Sequence, residues 1–293
     1  MTTSFDRNAE DLANFVGLEH TNIKVPDQRL ATIFYVVGMG FTRDPYMVPG
    51  VTNMWMNIGR TQIHMPTGKP QIIPGHTGIT VPDLKALKNR LEAVKKDLRG
   101  TKFKFAASRN RVDVTCPWGN KYRCMPPSDK FGRTTLGIRY VEFDSRPGTS
   151  DGIARFYREV MGAKATVRKA GGIAAHVESG YHQSMIFRET TKKIPRFDGH
   201  HIQVYLANFS GPHKALQELD LVSEESNQYQ YRFLYIVDPD TGKRLHTLEH
   251  EIRSMTHPLY GRPMLNRNPA QHNNNYAVGH ADQAFMLPGE ELR

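Results

Sequence analysis

Histidine is the residue type with the most chemistry to offer in this chain: thirteen are present, several in short alternating apolar segments. His20 sits in Leu18-Glu19-His20-Thr21, His64 in Gln62-Ile63-His64-Met65, and His76 opens His76-Thr77-Gly78-Ile79. His201 opens His201-Ile202-Gln203-Val204, and His246 follows the turn Asp238-Pro239-Asp240-Thr241-Gly242. A neutral imidazole ligates Zn, Fe, Ni or Cu, moves a proton near neutral pH, or serves as a hydrogen-bonded polar filler. Which of these applies depends on which strands are brought together.

The strands belong to a repeated pattern. Phe34-Tyr35-Val36-Val37-Gly38-Met39-Gly40 recurs as Phe156-Tyr157-Arg158-Glu159-Val160-Met161-Gly162. The turn Cys116-Pro117-Trp118-Gly119-Asn120 recurs as Asp238-Pro239-Asp240-Thr241-Gly242, with one extra residue before the following strand. Leu18 to Val25 alternates like a half-buried strand, and Leu30, Ile33, Phe34 and Val37 then fall on one helical face. Asn53 to Ile58 and Thr61 to Met65 form a hairpin around Gly59-Arg60. Similar strand–helix–strand units start at His76, Leu136 and His201. Self-similarity of this kind fixes an architecture before single residues are interpreted. It predicts an α+β fold of four βαβββ modules in tandem pairs. The expected boundaries are an N-terminal extension over 1–14, domains over 15–130 and 131–255, and an extended tail over 256–293.

Composition narrows the function classes. Hydrophobic residues make up 39% and charged residues 23%, as in an ordinary soluble globular chain. Two cysteines, Cys116 and Cys124, make no disulfide framework and read as free thiols in a reducing, cytoplasmic setting. No apolar run is long enough for a membrane helix, and Met1 to Asp6 lacks the cationic-then-apolar order of a signal peptide. The formal charge of +10 favours anionic small-molecule partners. The basic residues are scattered without a nucleic-acid motif, so neither nucleic acid nor membrane is an expected partner; a homodimer is compatible with the sequence.

Paired βαβββ units with Phe-Tyr in each odd helix and an Asp-Pro-Asp-Gly-like turn before the last strand resemble the vicinal oxygen chelate superfamily. That family includes glyoxalase I, bleomycin-resistance proteins and extradiol dioxygenases, and the resemblance spans roughly residues 15–255. It implies that the tandem pairs are two cup-shaped half-barrel domains, with a divalent metal (Fe2+, Zn2+, Mn2+ or Ni2+) inside a cup, held from the first and last strands of two modules. It puts His20, His64 and His76 at ligand positions of the first cup, with Arg123 at the fourth. An arginine stays protonated and cannot bind a metal, so Arg123 points to a substrate anion instead. In the second cup the resemblance gives His201, His246 and Glu142. A two-residue insertion in the loop Ser145 to Ser150 would replace Glu142 by Tyr140, which would then contact substrate. His182 lies near the strand that carries an acid–base histidine in extradiol enzymes. His250, His257, His272 and His280 match no such position and read as surface or tail residues, and Glu249 and Glu251 read as turned toward solvent.

The resemblance therefore implies a metal-dependent enzyme acting on a small molecule with vicinal oxygens. With Fe2+ the chemistry would be extradiol-like ring cleavage; with Zn2+, Mn2+ or Ni2+ it would be isomerase or lyase chemistry. The alternative is a cup that sequesters a small anion or aromatic ligand without chemistry, as bleomycin-resistance proteins do.

Overall fold

The computed structural model describes residues 5–47 and 50–267. The first module holds β1 (Phe15–Asn22), α1 (Gln28–Ala31, continued as a π-helical stretch Thr32–Gly38), β2 (Thr42–Arg43), β3 (Asn53–Ile58) and β4 (Thr61–Pro66). The second holds β5 (Gly75–Thr80), α2 (Leu84–Ala93), β6 (Lys104–Ala107), β7 (Val112–Thr115) and β8 (Lys121–Met125). The third holds β9 (Gly137–Ser145), α3 (Ser150–Glu159), β10 (Ala165–Arg168), β11 (Ala174–Gly180) and β12 (Gln183–Glu189). The fourth holds β13 (His201–Leu206), α4 (Ser210–Glu218), β14 (Val222–Asn227), β15 (Gln230–Val237) and β16 (Arg244–Ser254). Asp27 and Asp83 start their helices by accepting bonds from the first free backbone N–H groups, those of Leu30 and of Lys85 and Ala86. Gly40 and Gly162, the repeated glycines after the Phe-Tyr helices, take the left-handed backbone that lets the chain turn away.

The α+β architecture is the expected one, but the modules pair differently from the tandem arrangement. One eight-stranded sheet runs β14-β15-β16-β13-β1-β4-β3-β2, joining the first and fourth modules. The other runs β10-β11-β12-β9-β5-β8-β7-β6, joining the second and third. The linker after β8 returns the chain antiparallel along β5, so β9 takes the open edge of β5. The edge of β1 is then left for β13. Contacts between sequence neighbours are made by the helices instead. In the first half, Phe34 of α1 packs on Phe103, and the Tyr35 and Tyr122 hydroxyls lie 2.7 Å apart. In the second half, Phe156 packs on Phe233 and the Tyr157 hydroxyl reaches His250. The two halves thus keep their helical packing and exchange their sheets.

The helices fill the space between the sheets with one continuous apolar core that includes Phe15, Phe34, Tyr35, Phe156, Tyr157 and Phe187. The opposite face of each sheet is a concavity lined by polar residues. Cys116 and Cys124 are buried free thiols, as read from the sequence. No helix among the described residues is long and apolar enough to cross a membrane. The expected tail is partly a strap: residues 257–267 run from β16 back to the first module, where Arg262 pairs with Asp44 and Asn266 bonds both ways with Gly59. The rest of the tail, with His272 and His280, lies outside the described residues, as do residues 1–4 of the N-terminal extension.

Candidate metal centre

The concave floor of the first sheet is set by two ladders. Across the antiparallel seam His20 of β1 faces Gln203 of β13, and Asn22 faces His201. On the outer sides, His64 of β4 lies beside Asn22, and Glu251 of β16 lies beside Gln203. Side chains alternate along a strand, so these positions share one face. An irregularity in the pairing between Leu18 and His20 sets Glu19 and His20 together against Gln203, a bulge that re-aims the strand.

His20, His201 and Glu251 converge: one donor atom from each lies within 4.8 Å of the others, and all three residues are buried. Two donors on one tetrahedral ion stand ~3.4 Å apart at bonds of about 2.1 Å, so the three side chains would draw closer together to hold a cation. Neither ring nitrogen of His20, nor Nε2 of His201, has a hydrogen-bond partner. Buried donors and acceptors left this way are costly unless a ligand completes them. His64 stands next to this group, with its ring 6.1 Å from that of His20. It is stacked on Trp55 at 3.8 Å and bonded through Nε2 to Asn53.

The electrostatics match a cation site. Burial holds the His20 imidazole below its ordinary value, partly countered by Glu19. Burial, with His20 and His201 nearby, pushes His64 down to about 2. Burial works to raise the Glu251 carboxyl, but His201, His20, Arg253 and Arg232 outweigh it and keep it below the usual carboxylate range. A His20 imidazole held toward its neutral form beside an ionised Glu251 carboxylate suits metal binding, which needs both in these states. The donor set therefore fits a divalent ion. Around it, Arg232 bonds both Glu251 and Glu249, and Arg253 Nη2 reaches Glu251 Oε1 at 2.7 Å. Gln203 and Trp55 Nε1 are buried without partners. The strap closes one side of this floor. Gln62, beside His20, bonds Asn57 and Asp44, which in turn hold Leu265 and Arg262 of the strap.

The predicted site residues are redistributed accordingly. His20 and His64 share a cup, but His76 lies on the other sheet, because β5 pairs with β9 rather than with β1. His201 joins His20, not Glu142 and His246. Glu142 lies in the second concavity, 3.0 Å from Arg188 and 3.7 Å from His76. Tyr140 takes the ligand-equivalent position there, as the insertion reading anticipated, with its hydroxyl 2.9 Å from His76 Nε2. Arg123 is in the same concavity, bonded through Nε to Asp113. His246 is on the opposite face of β16, packed against Phe143 and Phe187 of the other sheet, where burial lowers it to about 4. His182 is an exposed turn residue with φ 50°, stacked edge-on against Tyr181. Its turn connects β11 to β12 of the second sheet.

Glu251 is the ligand candidate that the turn-to-strand offset missed. Arg123 stands four residues after Gly119, whereas its counterpart stands nine after Gly242, because the β15–β16 hairpin is longer than β7–β8. The missed signal is the alternation of Glu249, Glu251 and Arg253 with Leu248, His250 and Ile252. His250, read as a surface residue, is fully buried on the apolar side of that alternation.

No family model matches the sequence. No curated protein matches it either. Solved structures do. Glyoxalase I from Zea mays aligns with a TM-score of 0.55 at 13% identity, over 81% of this chain and 92% of that one. A Bacillus subtilis protein provisionally named a dioxygenase aligns with a TM-score of 0.52 at 13% identity, over 82% of this chain and 85% of its own. The chain thus shares its fold with these structures; at such identity the likeness concerns the fold alone.

Proposed function

We propose that the first concavity is the metal centre of a vicinal-oxygen-chelate enzyme, with His20, His201 and Glu251 as ligands and His64 completing the polar floor. The observation that carries this reading is the convergence of three buried donors in which both His20 nitrogens and His201 Nε2 have no hydrogen-bond partner. A divalent ion bound there would act as a Lewis acid toward two adjacent oxygens of a small substrate. The chain's own residues supply the rest. Arg232 and Arg253 hold Glu251 ionised and fix its orientation. Trp55 restrains the His64 ring by stacking. Gln203 and the Trp55 indole N–H offer hydrogen bonds to substrate oxygens beside the ligands. Burial of the floor and the strap keep water from the reacting oxygens.

One observation favours capture of a ligand without metal: both Glu251 oxygens already have guanidinium partners. Metal analysis decides between the readings. Protein purified without chelators should carry close to one equivalent of Fe, Zn, Mn or Ni. The variants His20→Ala and His201→Ala should lose it while keeping the wild-type circular dichroism. Wild-type protein that stays metal-free after incubation with each ion, or variants that retain the wild-type content, would remove the metal reading.

A further inference from the structure

The second concavity is the charge-inverted counterpart of the first. Its ladders superimpose on those of the metal centre residue for residue: Tyr140 faces Gly78 and Glu142 faces His76 across β9 and β5, with Arg123 beside Gly78 and Ile186 beside Glu142. Tyr140 therefore stands for His20, Ile186 for His64, His76 for His201, and Arg123 for Glu251. The inversion extends one ring outward. Glu251 faces Arg232 across β16 and β15, whereas Arg123 faces Asp113 across β8 and β7. Glu249, two residues before Glu251, becomes Lys121, two before Arg123. Glu19, at the bulge before His20, becomes Arg139, at the bulge before Tyr140. Three carboxylate positions around one floor are thus cation positions around the other, although Glu142 stands where the first floor has Asn22. The exchange favours an anion in the second concavity.

This concavity is also open. Its cleft, about 520 Å³, is lined by Arg123, Lys104, Lys121, Lys192, Thr115 and His76 among others. Lys104, Thr115 and Lys121 stand in register across β6, β7 and β8, so the two lysines flank one threonine on the strands that line the cleft. Of the acidic residues that line the cleft, Asp113 pairs with Arg111 and Arg123 and Glu142 with Arg188, while Asp144 has no ion pair among the described residues. Lys104, Lys121 and Lys192 have no ion-pair partner among the described residues. Arg123 gives its Nε to Asp113 and is also within reach of the Tyr140 hydroxyl, and a guanidinium has further N–H groups with which to meet an oxyanion.

We infer that the second concavity is a binding site for a small multiply charged oxyanion, a phosphate ester or polycarboxylate, held by Arg123, Lys121 and Lys104 without metal. The test is calorimetric titration of the full chain with citrate and with pyrophosphate, acetate serving as the monoanion control. Saturable binding near one equivalent should weaken with added salt, as expected for partly exposed charges. The double variant Lys104→Gln/Lys121→Gln and the single variant Arg123→Gln should each lower affinity by about tenfold or more, a loss of ~1.4 kcal/mol or more. The control Lys85→Gln/Lys88→Gln, on the outer side of α2, and the metal-ligand variant His20→Ala should bind as wild type. A response to citrate but not pyrophosphate would identify the carboxylate class, and the reverse the phosphate class. Absence of saturable binding by either probe, equal loss in the α2 control, or loss in His20→Ala in place of the Lys104/Lys121 variant would each overturn the proposal. None of these outcomes depends on whether the first concavity takes a metal.

Discussion

The Tyr157 hydroxyl lies 2.6 Å from Nε2 of His250, on the helix-facing side of the strand that carries Glu251. Nδ1 of the same ring lies 2.8 Å from the Leu248 carbonyl, which can only accept, so Nδ1 carries the proton and Nε2 accepts from the tyrosine. Both ring nitrogens are satisfied in the neutral form, and burial lowers the imidazole to about 3. The Tyr35–Tyr122 pair takes the same place one residue before Arg123. Each Phe-Tyr helix thus pins the strand bearing the fourth position of a concavity.

His250 makes stability depend on acid in a defined direction. Its folded value is below the ordinary ~6.5, so the folded state binds fewer protons than the unfolded one between pH ~6.5 and about 3. Its contribution is fully present above pH ~6.5 and falls as pH drops through that window. From pH 7 to pH 5 this one group costs about 2 kcal/mol. Urea unfolding of wild type and His250→Phe at both pH values checks it: the variant should lose less stability on acidification. An equal loss in both proteins would rule the assignment out.

Glu251 is held by two guanidinium groups, Arg232 and Arg253, within a floor closed to water. Glu251→Gln should therefore cost stability as well as metal. Breaking a buried pair from one side typically costs ~3–5 kcal/mol. His20→Ala removes a ring with unpartnered nitrogens and should cost clearly less. Chemical denaturation of the two metal-free variants gives the comparison. A Glu251→Gln protein as stable as His20→Ala would mean that the arginines are satisfied by solvent.

Asp44 is fully buried as a side chain and receives the Arg262 guanidinium at 2.6 Å. Arg262 outweighs the burial that would raise the Asp44 carboxyl and holds it below its ordinary value. This pair ties the strap to the first module, together with the bonds of Leu265 and Asn266. Arg262→Leu leaves a buried carboxylate without its cation and should loosen residues 257–267. Limited proteolysis should cut that segment several-fold faster, and the thermal midpoint should fall. Wild-type cleavage kinetics would show that the strap is held without the ion pair.

The four modules were legible in the sequence because alternation and the Phe-Tyr repeat are local signals. The resemblance put His20, His64 and His201 at inward strand positions, and the structure brings all three to the first concavity, where His201 joins His20 rather than Glu142 and His246. The pairing of modules was not legible, since the edge of β1 accepts β13 as readily as a neighbour in the chain, and only the packing of both sheets decides. Glu251 was hidden by hairpin length: a count from the turn reaches His246, five residues short and on the opposite face. His250 escaped notice because a buried imidazole needs a partner such as Tyr157 that lies 93 residues away.

Gly78 shows how the second concavity depends on a missing side chain. It faces Tyr140 across the seam, and a Cβ built there would lie 2.0 Å from Cε1 of the tyrosine ring. The ring occupies the space that Gln203 fills in the first concavity, and from there its hydroxyl reaches His76. Gly78→Ala must displace Tyr140, break that bond and push the ring into the cleft. Overpacking of this kind costs ~1–3 kcal/mol. The first concavity has its own strands, so its metal content should not change. Gly17, which a Cβ would leave with nothing within 4 Å, is the matched control, and Gly17→Ala should stay within ~0.5 kcal/mol of wild type. Urea midpoints and metal analysis of the two variants give the answer: equal stability for both would show that Tyr140 relaxes without cost, and lost metal in Gly78→Ala would show that the two floors are coupled.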